Sequence, residues 1–367
     1  MNRRIFKHQT TKKGDVPFYK IGTFGEKADA FISRELFENF KEKYPYPKIG
    51  DILISASGSI GKMVEYQGKD EYFQDSNIVW LKHGDEIHNL FLKCFYTVVK
   101  WEGLEGSTIK RLYNKNILET KISYPTTPEQ TQIGTLFKTF DNLITCHQRK
   151  SENLVLLKKS LLQKLFPKNE QNIPDIRFKG FTNAWEQREL GEMGETFAGL
   201  SGKTKEDFGH GEAKFITYMN VFSNTIANKN MVEQVEIDNS QNKVMYGDVL
   251  FTTSSETPNE VGMSSVWLEN IDNTYLNSFC FGYRPTEKMD SHYLAYTLRA
   301  DCFRNDIKLL AQGISRYNIS KTKAMNLKVS LPKLEEQTKI GEFFVTLDNL
   351  ITCHQCNHFT CINYKYL

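Results

Sequence analysis

Residues 129–148 read EQTQIGTLFKTFDNLITCHQ, and residues 336–355 read EQTKIGEFFVTLDNLITCHQ. About 15 of these ~20 positions are identical, and the offset of 207 residues (336 minus 129) far exceeds the ~20–50 residues of a solenoid repeat. A whole domain with a helix attached was therefore duplicated. Such a chain presents two similar surfaces related by an approximate two-fold axis. Double-stranded DNA is a ligand whose backbone carries that symmetry.

The first copy predicts a long helix. Thr127-Pro128-Glu129-Gln130 is a capping box with proline at the first helical position. Apolar residues recur every three to four positions at Ile133, Phe137, Phe140, Ile144, His147, Leu154, Leu157, Leu161 and Leu165, with one polar gap across Lys150–Asn153. Pro167 ends the pattern. A helix from Pro128 to Phe166 would be ~58 Å long at 1.5 Å per residue. Its other face carries Lys138, Asp141, Arg149, Lys150, Glu152, Lys158 and Lys159. One apolar stripe on a charged rod needs a partner, and the second copy repeats the stripe at Ile340, Phe344, Leu347, Leu350 and Ile351. The two helices are expected to pair as an antiparallel coiled coil.

Two mixed segments surround these helices. The first reads PFYKIG, GDILISASG, NIVWLK and ETKISYP; the second reads FITYMNV, GDVLFTTSS, NSFCFGYRP and NLKVSLP. Gly50-Asp51-Ile52-Leu53 matches Gly247-Asp248-Val249-Leu250, so the duplication covers the domains more loosely. Alternating β-branched and aromatic residues predict short twisted strands. Helices are expected around Leu90–Trp101 and Tyr293–Asp306. The reading is an α+β fold: a first domain at 1–126, a spacer helix at 127–172, a second domain at 173–333, a shortened second helix at 334–355 and a divergent tail at 356–367.

The 367 residues suffice for two domains that each bury a core. Apolar content of 40% and charged content of 25% are those of a globular protein, and no apolar run is long enough to span a membrane. The basic start MNRRIFKHQTTKKGD is followed by no apolar stretch of signal-peptide type, and the seven cysteines are odd in number and scattered. A reduced, cytoplasmic setting is the expectation. The net charge of +3 supports nucleic-acid binding only weakly, so phosphate contacts would be locally arranged or shared with a partner.

The GD-[IV]-L strand with its Ser/Thr-rich turn, YFQDSNIVWL at Tyr72–Leu81, and a Gly-Ser or Ile-Ser/Thr loop before a strand ending in proline occur in a specific order. They lead into EQ-x-x-I-G-x-x-F-x-x-x-D-x-L-I and HQRKSENLVLLKKSLLQKLF, and PDIRFKGFTNAWEQRELGEM at Pro174–Met193 opens the second domain. Over residues ~13–355 this order resembles the specificity subunit of type I restriction-modification enzymes. The resemblance implies two target-recognition domains, each reading one half of a bipartite DNA target. It implies paired helices that set the spacer and dock methyltransferase subunits. Motor-nuclease subunits would join for cleavage, and catalysis would belong to the partners. Two departures stand out. The first domain lacks the lead-in that opens the second, so it is expected to lack an opening strand or helix. After His354-Gln355 the second helix continues as CNHFTCINYKYL rather than RKSENLVLLKKSLL, so it is expected to lose turns and the tail to fray. A shortened scaffold that binds methyltransferase subunits without sequence preference is the alternative.

Candidate DNA contacts fall on two loops per domain. In the first they are Ser57, Ser59 and Lys62, then Ser107, Thr108, Lys110 and Arg111; phosphate-seeking charge there adjoins small hydrogen-bonding groups. Gln74 is added because glutamine reads adenine bidentately. In the second domain they are Thr252, Thr253 and Ser254, then Gln312, Ser315, Arg316 and Tyr317. Lys203 and Lys205 sit in a Gly/Ser/Thr-rich loop suited to phosphates. The bland reading of each is a solvated loop residue. SASGSIGKM at Ser55–Met63 approaches a phosphate-binding loop, but Met63 stands where a magnesium-binding hydroxyl is needed. No Asn-Pro-Pro-aromatic tetrad marks a methyltransferase site. Glu212-Ala213-Lys214 lies far from a partner acid. Cys353, His354, Cys356, His358 and Cys361 crowd the tail, yet Cys146-His147 repeats Cys353-His354 without further ligands, which favours the helix seam over zinc. No cofactor is expected.

Overall fold

The computed structural model describes residues 2–101, 110–168 and 171–366, with side chains through 363. The chain divides into two compact units: Met1–Cys146 with His358–Leu367, and His147–Asn357. Each long helix contributes residues to both units.

Unit 1 contains strands β1 (Val16–Tyr19) and β2 (Ala30–Ile32), helix α1 (Arg34–Lys43), strands β3 (Ile52–Ser55), β4 (Met63–Glu65), β5 (Tyr72–Phe73) and β6 (Ile78–Trp80), helices α2 (Asn89–Val98) and α3 (Asn114–Glu119), and the first part of α4 (Thr127–Lys164). Its sheets run β2-β1-β5 and β4-β3-β6. β3 is buried along its whole length because it is central. Val16, Ile32, Phe37 and Tyr72 fill one core beneath α1, whose first turn is capped by the Ser33 side chain. The strand expected in ETKISYP does not form: Lys121–Tyr124 has no strand partner among the described residues.

Unit 2 contains β7 (Glu186–Glu189), β8 (Gly194–Ala198), β9 (Phe208–Ile216), α5 (Tyr218–Ser223), β10 (Val232–Val235), β11 (Val249–Thr252), β12 (Ser254–Ser255), β13 (Ser264–Val266), β14 (Thr274–Leu276), β15 (Cys280–Pro285), α6 (Ser291–Thr297), α7 (Asp301–Leu309), β16 (Tyr317–Asn318), α8 (Lys321–Met325), β17 (Lys328–Leu331) and most of α9 (Leu334–Tyr366). Its main sheet runs β13-β11-β15-β8, and β10-β9-β14 repeats the β2-β1-β5 arrangement of unit 1. β17 pairs antiparallel with β7. Val249, Phe251, Val266, Tyr283, Leu294 and Ile307 form the main core. Arg304 is also buried and Arg299 half-buried, and their guanidinium groups donate to main-chain carbonyls, Arg299 to Ser264, Val221, Phe222 and Asn224 and Arg304 to Gly262, Val261 and Asn259. Burial lowers both from the usual arginine value to about 10, with Arg304 adding repulsion at Arg299.

Each helix begins in the same way. The buried Gln130 carboxamide accepts from the His88 N–H (2.9 Å) and donates to the Glu86 and Pro125 carbonyls (2.8 and 2.9 Å). Gln337 accepts from the Asp290 N–H (3.0 Å) and donates to the Pro332 carbonyl (2.9 Å). One turn on, a Cβ at Gly134 would stand 2.5 Å from Leu90 Cβ, and one at Gly341 would stand 2.7 Å from Asp290 Oδ1. The Ile-Gly of the repeat is thus the point where each helix touches the helix of its own domain, α2 or α6.

Within unit 2 the later part of α4 packs antiparallel on α9. Lys158 Nζ bonds Asp348 at 2.6 and 2.8 Å, and His147 Nδ1 lies 3.0 Å from His354 Nδ1. Leu154 and Leu161 join Ile340, Phe344, Leu347 and Ile351 in one apolar cluster. From 147 to 158 the positions on α4 that are not exposed are 147, 151, 154 and 158, a four-three alternation of coiled-coil type, and 160, 161 and 162 are half-buried beyond them. Leu157, expected in the seam, is 47% exposed, because the 3.5-residue period places Lys158 there instead. α9 does not end near Gln355. It continues helical to Tyr366, and its half-buried positions 354, 358 and 361 keep the seam spacing, so the tail expected to fray is ordered helix.

Candidate nucleic-acid interface

The two loops picked from each domain are stitched together by main-chain bonds. In unit 1, Ser57 and Arg111 form an antiparallel bridge, and the Leu112 N–H donates to the Ala56 carbonyl at 2.8 Å. In unit 2, β12 pairs with β16 through Ser254↔Asn318 and Ser255↔Tyr317, and the Ile319 N–H donates to the Thr253 carbonyl at 3.0 Å. The same junction therefore exists twice. In both cases a strand that leaves the domain core turns and meets the loop preceding a short helix, α3 in unit 1 and α8 in unit 2.

The side chains divide into those that build this junction and those it displays. In unit 1, Ser57 is buried and its hydroxyl donates to Asn77 Oδ1 (2.8 Å). Ser59 is exposed. Lys62 is exposed but its ammonium pairs with Glu26 at 2.9 Å. The SASGSIGKM segment joins strand β3 to strand β4, not a strand to a helix, which is not the frame of a phosphate-binding loop. Gln74 is occupied: its side-chain oxygen accepts from the Ile21 N–H at 2.9 Å. Lys110 and Arg111 are exposed and form no ion pair among the described residues. Ser107 and Thr108 lie outside the described residues.

In unit 2, Thr252 is fully buried and its Oγ1 accepts from the Met263 N–H at 3.0 Å, so this hydroxyl shapes the turn. Thr253 is half-buried, Ser254 is buried, and the Ser254 carbonyl accepts from the Tyr218 hydroxyl at 2.6 Å. Gln312 and Asn318 exchange main-chain bonds of 2.9 and 2.8 Å, closing a narrow loop. Gly313 has φ +142°, and a Cβ there would stand 2.0 Å from the Arg316 carbonyl, so only glycine fits this closure. Ser315 and Arg316 are exposed at the tip, and Tyr317 is half-buried. Lys203 is bonded to Asp238 at 2.8 Å, which holds the Asp238 carboxyl well below the usual carboxylate range, with Ser240 contributing further bonds. Lys205 is exposed nearby in sequence.

Two features at the second tip escaped the sequence reading. The Arg316 guanidinium lies 5.5 Å over the ring of Phe279, which is itself exposed. Ile314 is 96% exposed. Phe279 falls inside an alternating pattern that reads as strand interior, yet it sits in the turn before β15, its N–H bonded to Asn277 Oδ1 (2.9 Å).

Comparison with known proteins agrees with this duplicated layout. The family model described as type I restriction modification DNA specificity domain matches residues 1–156 and again 183–358. A putative type I restriction enzyme specificity subunit of Haemophilus influenzae is 54% identical over 144 residues, covering 39% of this chain and 37% of that protein. The MjaVIII specificity subunit of Methanocaldococcus jannaschii is 25% identical over 333 residues, covering 82% of this chain and 70% of that protein. In fold, the chain is similar to the crystal structure of a type I restriction-modification S subunit from M. genitalium, with TM-score 0.55 and 16% identity over 99% of this chain and 90% of that one. Among the described residues no helix is long and apolar enough to cross a membrane. With the DNA specificity model matched twice and most of its length accounted for, the chain belongs to the type I restriction-modification specificity (S) subunits.

Proposed function

We propose that the chain selects the DNA sequence on which a type I restriction-modification complex acts, each unit reading one half of a bipartite target. Ser59, Lys110 and Arg111 face the ligand in unit 1, and Ser315, Arg316 and Lys205 in unit 2. The helix pair sets the spacer and docks the methyltransferase subunits, motor-nuclease subunits join them, and these partners carry the chemistry.

The observation that carries this reading is the twofold occurrence of one junction, Ser57 against Arg111 and Ser254–Ser255 against Tyr317–Asn318. A duplicated frame that offers two loop pairs matches a ligand read at two places. Arginine is suited to both guanine edges and phosphates, whereas the buried Thr252 and Ser254 hold the loops in shape. Single-molecule methylation mapping in cells co-expressing a cognate methyltransferase tests it. Replacing residues 312–317 should change one half of the methylated target and leave the other half intact. Methylation at an unchanged target, or a stable complex without sequence preference, would overturn the proposal.

A further inference from the structure

The turn that precedes β15 touches both recognition loops of unit 2. Asn277 holds its shape: the side-chain oxygen accepts from the Phe279 N–H (2.9 Å), and the carbonyl accepts from the Cys280 N–H (3.0 Å). The Phe279 carbonyl accepts from the Thr253 N–H at 2.9 Å, which ties the turn to the first loop. The Phe279 ring, 53% exposed, lies 5.5 Å beneath the Arg316 guanidinium of the second loop. One residue therefore joins the two loops, by its main chain to one and by its side chain to the other.

Unit 1 keeps the main-chain half of this arrangement. In the turn before β6, the Asn77 carbonyl accepts from the Ala56 N–H at 2.8 Å. The strand registers agree, since Ser55 pairs with Ile78 as Thr252 pairs with Cys280. The side chain differs: Asn77 Oδ1 accepts from the Ser57 hydroxyl (2.8 Å), and no ring stands there. The frame thus asks only for a carbonyl, and it does not account for the phenyl of Phe279. The contact with Arg316 does. Arg316 is exposed and forms no ion pair among the described residues. Its guanidinium is of a kind that stacks readily on aromatic faces. With one side covered by the ring it gives up rotamers before the ligand arrives, and its N–H edge stays available. Two N–H groups on such an edge match the O6 and N7 acceptors of guanine in the major groove.

We infer that the turn before β15 is a third recognition element of unit 2, and that Phe279 is a positioning residue that holds Arg316 for a guanine in the half-target. This rests on the DNA-reading proposal above and names one base of what unit 2 reads. Phe279 itself contributes the platform, and Arg316 makes the contact.

Methylation mapping with the full chain and a cognate methyltransferase gives the target, and the half that changes on replacing residues 312–317 is the one to follow. Phe279→Ala and Phe279→Leu should admit other bases at a guanine of that half, whereas Phe279→Tyr and Phe279→Trp should keep it. A merely space-filling role would be served by leucine as well as by tyrosine. Duplexes carrying 7-deazaguanine there, which lacks the N7 acceptor, should bind the unaltered complex about tenfold more weakly than guanine duplexes. The same replacement should make no difference to complexes carrying Phe279→Ala or Arg316→Ala. The inference fails if no guanine of that half responds, or if leucine performs as tyrosine does. It also fails if Phe279→Ala lowers the salt dependence of binding while the target stays unchanged, which is the mark of a phosphate contact. An unaltered complex that methylates without preference would overturn the DNA-reading proposal and this inference with it, whereas the other failures leave that proposal standing.

Discussion

His147 and His354 occupy the same position in the two copies of the repeat, and their Nδ1 atoms meet at 3.0 Å across the helix seam. Two equivalent residues touch each other only where a local two-fold axis passes between them. The duplication seen in the sequence is therefore a symmetry of the helix pair. One ring must donate and the other accept, so the pair is polar but satisfied.

Removing one ring leaves the other unpartnered. His147→Leu and His354→Leu should each cost about 1 kcal/mol, at the low end for a half-buried group. The double variant should be near neutral or stabilising, because two leucines at this site restore an apolar seam. Urea unfolding of the three variants gives the coupling, and additive losses would contradict a direct contact.

The carboxamides that open the two helices are buried with their bonds made to main chain. Gln130→Ala and Gln337→Ala should each cost about 2 kcal/mol through the groups left unpaired. Hydrogen exchange should accelerate first around His88 in the former and around Asp290 in the latter. Uniform acceleration along the chain would contradict a local role.

Arg304 is buried with its charge spread over three carbonyls. Arg304→Met should destabilise unit 2 by about 3 kcal/mol, since those carbonyls lose their donors together. Thermal unfolding measures it, and a loss below about 1 kcal/mol would show that water replaces the guanidinium.

The displayed cations should act on affinity through salt. Arg316→Ala, Arg111→Ala and Lys205→Ala should each lower the slope of log affinity against log salt by ~0.9. Lys203→Ala should change the slope less, because its charge is already paired with Asp238. Fluorescence anisotropy with duplex DNA at several salt concentrations distinguishes them.

Asp238 has its carboxyl held below the usual value by Lys203 and Ser240. A depressed folded value means that the stabilisation is full above the ordinary aspartate pKa of ~3.9 and is lost as pH falls toward the folded value. Amide protection at Ser240 and Gln241 should stay level from neutral pH to about pH 5 and fall only below about pH 4. Asp238→Asn should remove that acid dependence.

Much of the layout was readable because the repeat is long and periodic. Thr127–Lys164 follows the stripe and the Thr-Pro-Glu-Gln start within two residues of expectation. The loop pairs were also readable, since Gly, Ser and Thr clusters flank strands in both copies. Other features depended on tertiary partners. Lys158, not Leu157, enters the seam because Asp348 waits there, and no one-dimensional pattern records that charge. Gln74 looked free for bases because its bond to Ile21 joins residues distant in sequence. The end of α9 is not legible in the sequence, because its departure from the first copy hides a preserved seam spacing at His358 and Cys361. Lys121–Tyr124 has strand-like sequence yet no strand partner among the described residues, so propensity alone does not make it a strand.

The junctions at Gln130 and Gln337 have an evolutionary consequence. Both side chains grip peptide groups, so this grip does not depend on which side chains the domain carries at those positions. A substitution that keeps those peptide groups in place therefore keeps this hold on the helix, whatever side chain it introduces there.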